Sequence, residues 1–101
     1  MIIIERMITE IYPGKLAELQ ELDKRYDAIE AGLGFPPKKR LLSISGVHDF
    51  NEVILERQWE SMAAMEAAVE KSLVNPGIQA LNEEGTAIIK STRIELYTPA
   101  D

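Results

Sequence analysis

The chain is 101 residues long, carries a formal net charge of -6 and contains no cysteine. That length makes one domain of common size, and the missing thiols exclude disulfides, thiolate metal sites and cysteine nucleophiles. The acidic balance works against a nucleic-acid backbone or an anionic membrane as partner. The opening run Ile2-Ile3-Ile4 is interrupted at once by Glu5 and Arg6, too soon for a signal peptide or a membrane span. The expectation is a soluble cytoplasmic protein with residues 1–101 as a single domain. The one basic cluster, Lys38-Lys39-Arg40, follows Pro36-Pro37 and reads as a solvated turn.

Residues 2–11, IIIERMITEI, are rich in β-branched side chains and read as a strand. Neither face is wholly polar, so something is expected to pack on each side. Pro13 and Gly14 break the strand. From Lys15 to about Ala31, the apolar residues Leu16, Leu19, Leu22, Tyr26 and Ile29 recur every three or four positions. Glu18, Glu21, Lys24, Asp27 and Glu30 fill the other face, which predicts an amphipathic helix. Gly32 or Gly34 suits its C-terminal cap, and Pro36-Pro37 forbid continuation.

Residues 40–47 and 52–59 read as two strands joined by His48-Asp49-Phe50-Asn51, a link short enough to demand an antiparallel hairpin. Ser61 is placed to cap a helix whose Met62, Met65, Ala68 or Val69, and Leu73 follow helical spacing. Asn75-Pro76-Gly77 stops that helix and starts a short second one, with Asn75 as cap and Pro76 in its first position. Residues 88–97 form the last strand. The order is βαββαβ with an extra helical piece. With right-handed crossovers this gives an α+β fold, a ferredoxin-like βαββαβ sandwich with one antiparallel sheet and its helices on one face.

The other sheet face is left bare. It carries Glu52, Ile54, Glu56 and Gln58 from the third strand and Ile89, Ser91, Arg93, Glu95 and Tyr97 from the last. So many apolar groups on an open sheet mark an interface. A homodimer packed through this face, with charges pairing across the seam, is the expected assembly.

The motifs Tyr12-Pro13-Gly14-Lys15, Asn51-Glu52-Val53-Ile54, Trp59-Glu60-Ser61-Met62 and Asn75-Pro76-Gly77-Ile78-Gln79-Ala80 span nearly the whole chain. On them the sequence resembles the dimeric α/β-barrel superfamily and, within it, the NIPSNAP-like family. The resemblance implies a dimeric α/β barrel and says little about chemistry, because that family's biochemistry is largely undefined. Related families include cofactor-free monooxygenases, haem-degrading enzymes and lactone isomerases that use a pocket between helices and sheet. Where the family pattern places an arginine and an aromatic in the first strand, this chain has Met7 and Thr9. Where it places a histidine and an aromatic in the third strand, this chain has Leu55 and Arg57, and Trp59 alone matches in kind.

Four side chains are candidates for binding a ligand. Arg57 is in phase with Val53, Leu55 and Trp59, and a guanidinium on a largely apolar face needs a carboxylate such as Glu5 or an anionic ligand. Trp59 offers a stacking surface, although a ring at that position also fills the core between the third strand and the second helix. Tyr26 points inward with Leu19 and Ile29. His48 can titrate near neutral pH, but it stands at a turn beside Asp49 with no second histidine to complete a metal site. The carboxylates lie mostly on the solvated helix face and do not read as a catalytic pair. No serine sits in a nucleophile elbow, and no glycine spacing fits a phosphate loop. No cofactor and no metal is expected. The reading is a homodimer that takes a small apolar or anionic organic molecule between helices and sheet, with a cofactor-independent monooxygenase or isomerase as the alternative.

Overall fold

A computed structural model of the chain describes residues 1–46 and 50–101. The strand with apolar side chains on both faces takes a central place. β1 (Ile3–Ile11) pairs antiparallel with β3 (Glu52–Trp59) on one side and with β4 (Ile89–Tyr97) on the other. β2 (Lys39–Leu42) pairs with β3, so the sheet runs β2-β3-β1-β4. This is the ferredoxin-like arrangement that the element order predicts.

α1 (Leu16–Glu30) runs on into a 3-10 turn, Ala31–Leu33, and Gly34 closes it with φ +92°. The left-handed conformation there favours glycine, as the chain turns toward Pro36. α2 (Met62–Leu73) and α3 (Pro76–Gly85) start as their sequences dictate. The Ser61 hydroxyl accepts from the Ala64 amide at 3.1 Å, and Asn75 Oδ1 accepts from the Ile78 amide at 3.0 Å. α3 is a full helix of 10 residues. A methyl group built on Gly77 would lie 2.8 Å from Ile29 Cδ1, so glycine lets α3 approach α1.

β2 ends at Leu42, earlier than the alternating pattern predicts. The Ser43 hydroxyl donates to the Ser45 carbonyl at 3.4 Å, and Gly46 has φ +118°. Such local bonding competes with the strand ladder. β4 carries an irregularity against β1 between Glu10 and Ile11. As a result Ile88 and Ile89 both pack into the helix-side core, where strict alternation would send Ile89 to the opposite face.

The core has two centres. Ile11, Leu19, Leu22, Val53, Leu81 and Ile88 form one between α1, α3 and the sheet, and Ile3, Trp59 and Ala68 form the other under α2. The opposite sheet face has no helix on it. There the Arg6 guanidinium lies 2.7 Å from Glu56 and 5.3 Å from the centre of the Tyr97 ring, while Arg93 of β4 reaches Glu52 of β3 at 3.7 Å. That last pair spans β1, where Ile8 is only 2% exposed. Within the chain, Arg6 and Arg93 thus already have carboxylate partners on this face.

Candidate functional site

A cavity of about 520 Å³ opens between the helices and the sheet, a size usual for small-molecule sites. Its floor is the helix side of β3, β1 and β4. Glu5, Met7 and Thr9 of β1, Leu55 and Arg57 of β3, and Thr92 and Ile94 of β4 share that face because side chains alternate along each strand. Its roof comes from Leu19, Asp23, Tyr26 and Glu30 of α1, Val69 and Ser72 of α2, and Ile78 and Asn82 of α3. Phe35 and Lys38 complete one wall.

Arg57 is the central polar group. Its side chain is 4% exposed, its Nε lies 3.5 Å from Glu5 Oε1, and its Nη2 lies 3.7 Å from Glu30 Oε1. The guanidinium sits 4.8 Å from the centre of the Phe35 ring and 5.9 Å from that of Trp59, so aromatic faces hold it where its ion pairs are long. Its Nη1 is buried without a hydrogen-bond partner. An unmatched buried donor costs free energy and calls for an explanation.

Trp59 does not line the cavity. It is 2% exposed, its ring meets Phe35 edge-on at 5.3 Å, and it packs with Ile3 and Ala68. Its Nε1 donates to Glu5 Oε1 at 2.9 Å, so it fixes the carboxylate that Arg57 faces. Tyr26 does line the cavity, and its hydroxyl donates to Asn82 Oδ1. Burial first, and then Glu30, Asp23 and Glu84, push its phenol above the usual range, which keeps it a donor at neutral pH. His48 lies outside the described residues. The structure thus brings Arg57 and Tyr26 to one cavity and sets Trp59 behind Arg57.

The basic cluster is no solvated turn. The Lys38 side chain is 4% exposed, and its Nζ lies 2.5 Å from Asp23, 3.2 Å from Asp27 and 3.2 Å from Glu30. Arg40 also bonds Asp23 and Asp27. Burial works to raise the Asp27 carboxyl, but hydrogen bonds from Arg40 and Lys38 outweigh it and hold the group below the usual carboxylate range. The helix carboxylates are not all solvated either, since Asp23 is 7% exposed and Glu30 lines the cavity beside it. Asp23 was legible in principle: it stands four residues after Leu19 and three before Tyr26, on the apolar stripe. Lys38 carries no such mark, because it lies in the link between helix and strand. Among the described residues no cluster of His, Asp and Glu is arranged to hold a metal ion.

No protein-family model and no curated protein matches the sequence. Solved structures do match, over essentially the whole chain. A NIPSNAP family protein from Agrobacterium tumefaciens superposes with a TM-score of 0.86 at 22% identity, covering 100% of this chain and 95% of its own. An uncharacterised NIPSNAP-like domain protein from Burkholderia xenovorans gives 0.80 at 13%, covering 97% and 84%. SnoaB from Streptomyces nogalater, a cofactor-independent oxygenase, gives 0.71 at 18%, covering 99% and 94%. At these identities the likeness is one of fold: this chain has the α+β fold of NIPSNAP family proteins and of SnoaB. Among the described residues no helix is long and apolar enough to cross a membrane.

Proposed function

We propose that the protein is a homodimer in which each protomer binds one small organic molecule in the cavity between helices and sheet, with Arg57 as the anchoring donor. The observation that carries this reading is Arg57 Nη1, buried and unpartnered on a residue that lines a cavity of about 520 Å³. A ligand oxygen meets Nη1 when the guanidinium turns toward the cavity; the ion pairs of 3.5 and 3.7 Å oppose that weakly, so the contacts with Phe35 and Trp59 are the main restraint the ligand must offset. The apolar wall, with Met7, Leu19, Leu55 and Ile94, suits the body of the molecule, and Tyr26 adds a second polar contact.

A thermal-shift screen against small organic molecules tests this. Compounds that raise Tm are expected to lose most of that shift on Arg57→Lys, which keeps the charge but removes the forked donor. Hits that stabilise both proteins equally would place the ligand elsewhere.

The dimer half of the proposal is supported by the uncovered sheet face, where Ile4 and Ile54 stand among charges already paired within the chain. Sedimentation at micromolar concentration is expected to give about twice the 11.3 kDa chain mass, and Ile54→Glu to shift it to monomer. A monomeric parent chain would refute this half.

A second reading is a cofactor-independent monooxygenase or isomerase. It is favoured by the same donor, since a guanidinium beside a ligand oxygen stabilises the negative charge of an enolate, and by the fold shared with SnoaB. Oxygen uptake or isomerisation of a bound enolisable ketone, lost in Arg57→Lys, would establish it. Binding without turnover leaves the binding-protein reading in place.

A further inference from the structure

We infer that the cavity selects an uncharged ligand whose polar atom is an oxygen acceptor, such as a ketone, quinone, lactone or amide, and discriminates against carboxylates; this rests on the ligand-binding reading above. The argument is one of charge already matched. The Lys38 ammonium is held by Asp23, Asp27 and Glu30, and Arg40 by Asp23 and Asp27. Arg57 faces Glu5 and Glu30. Among the described residues that line the cavity, the carboxylates Glu5, Asp23 and Glu30 stand against the two cations Lys38 and Arg57, each already facing a carboxylate, so the lining holds no surplus positive charge for an anion.

A bound carboxylate would add a further negative charge beside Glu5, Asp23 and Glu30, where the lining is already short of cations, and burying such a charge without a partner is costly. A cationic ligand fails differently. It would sit beside a guanidinium and leave Nη1 without an acceptor. A ligand with no polar atom would leave that donor unmatched as well. What remains is a neutral oxygen, which accepts from Nη1 and adds no charge. The apolar remainder of the lining then takes the hydrocarbon part.

The test uses three probes of one shape, acetylnaphthalene, naphthoate and isopropenylnaphthalene, together with their straight-chain alkyl counterparts. The first has a neutral acceptor, the second an anionic one, and the third has none. Affinity is read by isothermal titration calorimetry at neutral pH. The ketone is expected to bind about tenfold or more tighter than either analogue on at least one scaffold, as expected for a hydrogen bond to a charged donor. Arg57→Lys is expected to bring the ketone and alkene affinities together. Tighter binding of the carboxylate would overturn the selectivity while leaving the ligand-binding reading intact, and equal binding of ketone and alkene would do the same. Binding by none of the probes on any scaffold would overturn both.

Discussion

Replacing Lys38 by methionine is expected to destabilise the protein by about 3–5 kcal/mol, the cost of removing one partner from a buried ion cluster. Methionine fills a similar space, so the loss is electrostatic. Asp23 and Glu30, with side chains 9% and 14% exposed, would be left with fewer cations to face. Asp27 contributes less, because its side chain is 41% exposed and solvent screens it. Arg40 still reaches Asp23, which favours the lower end of the range. For a domain of this size, about 3 kcal/mol lowers Tm by roughly 12 °C or more. Lys39→Met, at an exposed position beside it, should change stability by less than about 0.5 kcal/mol. Equal effects from the two substitutions would show that the cluster is not a structural element. The pH dependence has a definite sign. The Asp27 carboxyl is held low in the folded chain, so its share of stability is present above the unfolded value near pH 4 and is lost as pH falls through the folded one. The gap between parent and Lys38→Met should therefore narrow in acid.

Trp59→Ala is expected to cost about 3–5 kcal/mol, as for other large aromatic truncations in cores. The ring packs among Ile3, Ala68 and Phe35, so its removal leaves a cavity in the core under α2. Trp59→Phe separates packing from hydrogen bonding. It keeps most of the ring but removes the Nε1 donor to Glu5, with an expected loss of about 1–3 kcal/mol for a buried acceptor left short of a partner. Chemical denaturation with an unchanged slope would check both figures. A Trp59→Phe variant as stable as the parent would mean that Glu5 is satisfied without the indole.

Much of the fold was legible because it rests on local rules. The spacing of Leu16, Leu19, Leu22 and Tyr26, the caps at Ser61 and Asn75, and the two apolar faces of β1 each point to one element and one place in the sheet. The site was legible only in part. Arg57 stood out because a cation in phase with Val53 and Leu55 breaks the pattern of a buried strand face. Glu30 and Lys38 read as solvated because charge in a helix or a link defaults to water, and only the tertiary arrangement shows that they and Asp23 meet beside a cavity. The burial of Ile8 is likewise non-local: it lies on β1 between Ile54 of β3 and Arg93 of β4, strands far apart in sequence. The place of Ile89 turned on an irregularity in register at Glu10 and Ile11, which no alternation pattern announces.

The most direct measurement of the central claim is the NMR signal of the Arg57 guanidinium in nitrogen-labelled protein as acetylnaphthalene is titrated in. A ligand oxygen accepting from Arg57 predicts a saturable shift of that signal, with contacts from the probe to Leu55, Tyr26 and Ile94. Saturable binding that leaves the Arg57 signal unmoved, with contacts elsewhere on the surface, would contradict it.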